Sequence, residues 1–378
     1  MLPTPTEDLS DAQLVAAVAD ELRRPRIDPA DSFVLHAPLE LASRAALLPR
    51  VAPAGRVQAR RRLVELASGY EAAGAPVPDP PSRHFTATPD AARRLREAID
   101  AGDLDEVDAV ARRLGRAASP TQLRRLLADT VVARLAAAAH APIFLYQLPR
   151  ISPRGELTGE LLRPLARELA RDPEWRLSWH DELRPRDSSV PADEVFDAIA
   201  ATPRTGLPGS GFICPVMSQA QDSGIAADQL AGVIEHVDPH EAALAVTRAA
   251  ASSMLQEPSD WAPYGWSHCL TLPQAVLGIA DACSNPTAPV AVAATFVVGF
   301  RAAMAERPLV AGTELPELTS TVTDIVTYAA THHDAHLVKY TLACLDAAAA
   351  DPSHAALYLA AAERLGTYWR EHAPAPTA

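Results

Sequence analysis

Apolar residues recur along most of this chain at the three- and four-residue spacing of amphipathic helices. The first run follows Ser10, whose spacing from Gln13 forms a capping box and predicts a helix that ends near Leu22. Further helices are predicted in the first half over about 38–50, 55–72, 88–100, 103–115 and 119–140. In the second half they are predicted over about 158–171, 192–201, 223–235, 239–256, 267–282, 288–305, 315–330, 332–350 and 353–366.

Patterns typical of β-strands are scarce, because β-branched residues seldom alternate with polar ones. The 34 prolines fall mostly between the helical runs, as at 75–81 and 202–208. We therefore predict an all-α fold, a single large multi-helix domain over 1–378 with its site between helices. A possible internal linker lies at 149–159.

Composition and charge narrow the class of protein. With 48% hydrophobic residues the chain can bury a sizeable core, and its net charge of −13 argues against nucleic acid or an anionic membrane as partner. The N-terminus lacks a signal-peptide pattern, and the longest apolar stretch, near 288–300, is short for a bilayer. The four cysteines show no C-x-x-C spacing. These features predict a soluble, cytoplasmic protein, and base rates favour a homodimer.

One position stands out from this composition. Lysine and arginine together number 34, and Lys339 is the only lysine among them. An arginine stays protonated, whereas a lysine amine can lose its proton and form covalent adducts. The alternative is an arginine-biased composition in which one lysine remained by chance. Lys339 follows His336 by three residues, so the two share a face of the predicted helix over 332–350.

Four of the twelve histidines lie on or beside different apolar helical runs: His36, His140, His268 and His336. A buried imidazole must satisfy two ring nitrogens, and a metal ion can take one of them. For any one histidine alone, a hydrogen-bonded core position is the simpler interpretation. Aromatic residues crowd beside two of the four, and core packing competes with a role as the walls of a ligand pocket. They are Phe144 and Tyr146 after His140, and Trp261, Tyr264 and Trp266 before His268.

The segments around these four histidines resemble the four short motifs of the questin oxidase-like family. The stretch His336-Leu-Val-Lys-Tyr-Thr341 is the most specific of them, and the likeness spreads over about 31–350. In the first motif Leu35 stands where the family has a polar residue. The resemblance implies a helical enzyme with a mononuclear non-haem iron held by four histidines and a carboxylated lysine. The implied ligands are His36, His140, His268, His336 and Lys339.

The residues fit such a centre chemically. Neutral imidazoles suit iron, and a deprotonated lysine can react with CO2 to give a carbamate, which supplies an anionic oxygen ligand. Five protein ligands leave one octahedral position for O2 or substrate. We therefore expect an Fe(II)- and O2-dependent oxygenase that cleaves a C–C bond of an anthraquinone-type polycyclic aromatic polyketide by Baeyer–Villiger-like ring opening. Tyr264, Asp334 and Tyr340 are candidates for proton handling.

Other interpretations stay open. His236 and Asp238 match half of a two-histidine, one-carboxylate triad, but Asp238 before Pro239 also reads as a helix N-cap. The glycines over 206–212 are expected to form a loop. A carbamylated lysine also occurs in zinc hydrolases, and a non-catalytic helical scaffold would need no metal. His332 and His333 are expected near the site or at the surface, and the remaining histidines in solvent: His84, His180, His354 and His372.

Overall fold

A computed structural model of the protein describes residues 8–27, 32–151, 158–209 and 212–372. Within these ranges it contains seventeen α-helices and no β-strand, so the all-α prediction is confirmed. Extended pairing in the described ranges is limited to two isolated bridges, Arg26 with Pro76 and Arg134 with Arg176.

The helices follow one another with short 3₁₀ turns between several of them. The first eight are α1 (Asp11–Leu22), α2 (Ser32–Leu47), α3 (Arg56–Ala72), α4 (Thr88–Asp100), α5 (Leu104–Ala117), α6 (Pro120–Val131), α7 (His140–Ile151) and α8 (Leu162–Arg171). The other nine are α9 (Asp193–Ala200), α10 (Ile213–Asp222), α11 (Ile225–Ile234), α12 (Pro239–Gln256), α13 (Ser267–Gly278), α14 (Thr287–Met304), α15 (Val322–Thr331), α16 (Ala335–Ala350) and α17 (Ala355–Glu371).

The chain forms two compact units, and the first comprises residues 1–49, 56–178 and 278–284. It contains α1 to α8, in which α2 packs on α7, α1 on α3, and α5 on both α4 and α8. Ser10 and Ser119 open α1 and α6 with complete capping boxes, which satisfy backbone N–H groups that a helix start leaves without partners. The core is built from the leucine, valine and alanine faces of these helices.

The second unit comprises residues 50–55, 179–277 and 285–378 and contains α9 to α17. Its central helix is α14, which is buried along almost its whole length and contacts α10, α11 and α12. Helix α12 also packs on α9 and α17, and α16 lies against α17. Helix α14 is apolar on every side, as is typical of a helix in the core of a protein.

The length of α14 corrects the sequence-based view of its region. The apolar stretch near 288–300 was expected to be short for a bilayer, but the helix runs for 18 residues from Thr287 to Met304. By length and composition it is the one helix of the described residues that qualifies as a membrane span, with a mean hydropathy of 1.5. Inside the protein 94% of it is buried, as expected of a core helix.

Helix boundaries match the predicted runs within about five residues, with four exceptions. Helix α2 begins at Ser32, six residues before the predicted start at 38. The run over 119–140 is wrong as a single helix, because α6 ends at Val131 and α7 begins at His140. Helix α10 was not predicted at all. The predicted helix over 315–330 begins later, at Val322, where Thr321 caps it.

The predicted linker at 149–159 lies partly outside the described residues, which omit 152–157. Residues 149–151 complete α7, and a 3₁₀ turn covers Thr158–Leu161. Both segments belong to the first unit, whose largest continuous stretch ends at Ser178.

Candidate metal centre

The first unit brings two of the predicted ligands together. His36 lies in the second turn of α2, and His140 is the first residue of α7, the helix on which α2 packs. Their ring centroids are 4.6 Å apart, and the rings meet edge to face at 70°. His36 is 9% exposed and His140 is 1% exposed, so both imidazoles lie in the core.

An unusual backbone turn delivers His140 to this position. Ala137, Ala138 and Ala139 all have positive φ values, of 56°, 50° and 57°. L-residues avoid this left-handed region, at a cost of about 1–2 kcal/mol each. The chain leaves the helical path because Leu135 N–H donates to Trp175 O and Leu177 N–H donates to Ala133 O. The tripeptide then turns the chain into α7.

The surroundings of this pair are tightly packed. A cavity of about 20 Å3 borders His140, Phe144 and Leu35, which is space for a water molecule but not for a polycyclic ring. One turn after His36, the buried Glu40 accepts from Nε of Arg44 at 2.7 Å. Two charged side chains are therefore buried one and two turns after His36. The sequence analysis did not identify this ion pair.

The second unit brings together the other two histidines. His268 is the second residue of α13 and His336 the second of α16, and their ring centroids are 4.9 Å apart. His268 is 8% exposed. The ring of Tyr264 meets that of His336 edge to face at 5.0 Å. As in the first unit, two imidazoles from different helices face each other in a largely apolar environment.

The protonation of His268 follows from its hydrogen bond. Its Nδ1 lies against the carbonyl oxygen of Tyr264, and because a carbonyl can only accept, Nδ1 carries the proton. The lone pair therefore lies on Nε2, as in imidazoles that bind metal ions. The carbonyl belongs to a π-helical turn, Ala262–Trp266, directly before α13. Such turns are rare and are found frequently at functional sites.

Both imidazoles of this pair are held neutral. Burial, followed by the charges of His336 and Lys339, lowers the pKa of His268 well below its usual value of 6.5. Burial and then the charge of Lys339 lower the pKa of His336 to about 2. A metal ion needs the neutral form of its histidine ligands, so both side chains are ready to bind one near neutral pH.

Lys339 is 2% exposed and lies on α16, one turn after His336. A protonated Lys339 acts on the pKa values of both imidazoles, so its amine lies within electrostatic reach of His268 and His336. Burying a long cationic side chain is costly unless its charge is compensated. The only lysine of the chain is therefore a core residue beside two imidazoles.

The three candidates for proton handling differ in their surroundings. Asp334 is the N-cap of α16 and accepts from the backbone N–H groups of His336 and Leu337. Its Oδ1 is 3.6 Å from Nδ1 of His336, beyond hydrogen-bond range. Tyr264 is 47% exposed, and burial followed by the charge of Asp334 raises its pKa. Tyr340 is buried against Cys344, and burial raises its pKa well above 10.

The aromatic residues beside the predicted ligands have unequal roles. Trp266 and Phe144 are core residues. The ring of Phe212 lies 6.3 Å from that of His268 between centroids, and it in turn contacts Trp261 and Phe300. Phe212 and Phe300 were missed, because a single phenylalanine in an apolar run carries no sequence pattern that distinguishes a site from a core.

The remaining sequence predictions have mixed outcomes. Asp238 caps α12 as predicted, with bonds from His240 N–H and Glu241 N–H, while Nδ1 of His236 lies 2.6 Å from Oδ1 of Asp187. The prediction that His180 is solvated was wrong, because it is 3% exposed.

The other histidines and the glycine-rich loop follow the predictions more closely. His84, His354 and His372 are exposed, and His332 and His333 pack ring to ring with centroids 4.3 Å apart. Residues 206–209 form an irregular segment that is partly exposed, and positions 210 and 211 lie outside the described residues.

The chain was also compared with known proteins in three ways. No model of a protein family, no curated protein and no solved structure matched it. The chemistry of the residues described above is therefore the ground on which a function is proposed.

Proposed function

We propose that this protein is a non-haem iron oxygenase that binds one Fe(II) through His36, His140, His268, His336 and a carbamylated Lys339. Its substrate would be an anthraquinone-type or other polycyclic aromatic polyketide, and its reaction an O2-dependent cleavage of a C–C bond. One observation carries most of the proposal: two neutral, buried imidazoles face each other beside the only lysine of the chain.

The histidine nitrogens are in the protonation state that binding a metal ion requires. Nε2 of His268 carries the lone pair because Nδ1 is committed to the carbonyl of Tyr264. The depressed pKa of His336 means that protons do not compete for its ring near neutral pH. Imidazoles in this state are common ligands of iron, and the paired rings of His36 and His140 offer two more.

The charge of Lys339 decides what form the site takes. At about 4 Å and an effective dielectric of about 20, an ammonium would repel a divalent ion by on the order of 8 kcal/mol. The reaction of the neutral amine with CO2 forms an N–C bond and releases one proton, and it leaves a carboxylate at the end of the side chain. That change turns the repulsion into attraction of similar size. Arginine does not undergo it at neutral pH.

The chain's own residues suggest how a substrate would be handled. Fe(II), when bound, would supply the one-electron chemistry that O2 needs to react with a closed-shell organic molecule. Tyr264 is half exposed beside His336, and its raised pKa keeps its hydroxyl protonated, so it can donate a hydrogen bond to a phenolic or quinone oxygen. Tyr340 is the less suitable proton donor because it is enclosed against Cys344.

The carbamate is tested most directly by 13C NMR of protein equilibrated with 13C-bicarbonate. Because Lys339 is the only lysine, one carbamate resonance beyond that of the N-terminal amine is expected, and it should vanish in Lys339→Arg. Circular dichroism shows whether that variant keeps its helices. A folded wild-type protein that shows no such resonance, with or without divalent metal, would exclude the carbamate.

The reaction class is tested by metal analysis and oxygen uptake after anaerobic reconstitution with Fe(II). One iron per chain, with O2 consumption on adding an anthraquinone or its hydroquinone, is the expected result. Zinc with anaerobic hydrolytic activity would instead favour the hydrolase interpretation. Failure to bind any divalent metal would favour a scaffold whose histidines only fill the core.

A further inference from the structure

The second unit contains a cavity of about 490 Å3, of a size that accommodates a drug-sized ligand. It is lined by one face of α12, by α9, by the loop over 311–316, and by the turn that leads into α17. Its apolar lining includes Phe196, Leu255 and Leu357. None of the five proposed iron ligands lines it.

A buried carboxylate, that of Asp351, holds the two basic side chains of this cavity in place. Asp351 is 2% exposed and accepts from Nε of Arg248 at 2.7 Å, from Nη2 of Arg248 at 3.2 Å, and from the hydroxyl of Tyr358 at 3.0 Å. It also lies 3.1 Å from Nδ1 of His354. Burial alone would raise the pKa of Asp351, but these hydrogen bonds outweigh it and hold the pKa well below its usual value. The carboxylate therefore fixes Arg248 and His354, and both line the cavity.

Two polar groups remain available to a ligand on this side. Asp351 occupies Nε and Nη2 of Arg248, and within the described part of the chain Nη1 has no hydrogen-bond partner. Ser252 lies one turn further along α12, is 9% exposed, lines the same cavity, and has no hydrogen-bond partner among the described residues. Together Nη1 of Arg248 and the hydroxyl of Ser252 form a prepared site for a carboxylate, with Ser252 as a nearly buried donor.

Carboxylates dominate the rest of the polar lining. Asp193 and Asp197 stand one turn apart on α9, and Glu314 comes from the loop. The charge of Arg248 is largely offset by Asp351, so the cavity as a whole is negative and disfavours a simple anion. A ligand with one carboxylate for Arg248 and one ammonium for the α9 carboxylates satisfies both parts, since charge-assisted hydrogen bonds are the strong ones.

We propose that this cavity binds a short apolar peptide with free termini, of two or three residues, whose carboxylate meets Arg248 and Ser252 and whose ammonium meets Asp193 and Asp197. The apolar side chains of the peptide lie against Phe196, Leu255 and Leu357. This site is independent of the proposed iron centre, and its test does not require metal.

The ligand side is tested by calorimetry with leucyl-leucine and leucyl-leucyl-leucine on the full-length protein. Loss of one charge-assisted contact should weaken binding about tenfold or more, so the N-acetylated and the C-amidated peptides should each bind much more weakly than the free peptide. Equal binding of the amidated peptide, or of a simple alkylamine, would overturn the assignment of Arg248. Failure of both free peptides to bind would overturn the proposal.

The protein side is tested with matched variants. Ser252→Ala and Arg248→Gln should weaken free peptides but leave the weak binding of amidated peptides unchanged. Asp193→Asn with Asp197→Asn should remove the difference between free and acetylated peptides. Arg186→Gln is the control, because Arg186 is an exposed arginine that pairs with Glu235 elsewhere in the unit. If Arg248→Gln does not fold, Ser252→Ala and the aspartate pair decide the outcome, and unchanged affinities there contradict the proposal.

Discussion

The two units each place a pair of histidines ring to ring, at centroid distances of 4.6 and 4.9 Å, but they build the pairs differently. The pair His36–His140 is reached through three left-handed alanines and sits beside a cavity of about 20 Å3. The pair His268–His336 is reached through a π-helical turn and includes a buried lysine and the half-exposed Tyr264.

This difference suggests different roles for the two histidine pairs in binding a metal ion. The first pair is enclosed, so its role in a metal centre would be to supply two fixed nitrogens. The second pair lies beside a lysine whose state, ammonium or carbamate, determines the charge of the site, and beside a tyrosine that is half exposed to solvent. Removing an imidazole from either pair should therefore cost metal binding, whereas only changes around the second pair should also alter metal affinity through the charge of the site.

The largest expected effect is that of Lys339→Met. The variant cannot form a carbamate, so it should lose iron completely, while the free energy of unfolding of the metal-free protein shows whether the Lys339 side chain has a stabilising partner in the core. Metal analysis and urea unfolding measure the two quantities on the same preparation. A variant that keeps its iron would contradict the carbamate, and one that loses both iron and stability would indicate a structural ion pair.

Replacing one histidine in each pair sharpens the comparison. His140→Ala and His336→Ala should each abolish binding of a single metal ion if all four histidines share it, and His180→Ala, another buried histidine, should not. In its metal-free form His140→Ala should also lose about 2–3 kcal/mol of stability through the cavity that it leaves. Two metal ions per chain, or loss in only one variant, would show that the pairs act separately.

The dependence of the free energy of unfolding on pH, measured on the metal-free protein, tests whether His336 in the second pair is neutral. The pKa of His336 is lowered from 6.5 to about 2, so the unfolded chain binds a proton below pH 6.5 that the folded chain rejects. The contribution of the neutral His336 imidazole to the free energy of unfolding is therefore fully present above pH 6.5 and is lost as the pH drops toward 2. Between pH 7 and pH 5 the loss is about 2 kcal/mol per such imidazole. His336→Gln should reduce the slope by that amount, as measured by urea unfolding at several pH values. An unchanged slope would mean that His336 is protonated in the folded protein.

The smallest expected effect concerns the turn before His140. Ala138→Gly should stabilise the protein by about 0.5–1 kcal/mol, because glycine adopts a φ of 50° without steric cost. The matched control is Ala136→Gly, since Ala136 has a φ of −53° and glycine there only adds unfolded-state entropy. Thermal unfolding distinguishes the two variants, and equal destabilisation of both would show that the turn is not strained.

Sequence patterns could predict most of the helices because capping residues and apolar spacing are local. Ser10, Asp238 and Thr321 each cap a helix through bonds to residues two or three positions away. The break between α6 and α7 could not be predicted, since it depends on hydrogen bonds to the distant residues Trp175 and Leu177.

For the candidate site, the sequence could identify residue types but not their environments. The apolar context of His268 and the isolation of Lys339 were visible in the sequence, and both residues are buried. The hydrogen bond that fixes the proton of His268, and the approach of Phe212, arise only when the helices pack. His180 was misjudged for the same reason, since its polar sequence neighbours do not reveal that its ring is covered.

The π-helical turn Ala262–Trp266 has a consequence for how this chain can vary. A π turn holds one more residue than the α-helical turn it replaces, so deleting one residue between 262 and 266 would restore regular helical winding. That deletion would rotate everything before it by about 100° relative to α13, since an α-helix advances one residue per 100°. When the deleted residue is Gly265 or Trp266, which lie between Tyr264 and His268, the carbonyl of Tyr264 would also move away from Nδ1 of His268. An insertion or deletion at this point would therefore change the rotational position of the preceding residues around the helix axis. Sequences that keep the spacing from Trp261 to His268 can keep the hydrogen bond that places the proton on Nδ1 of His268.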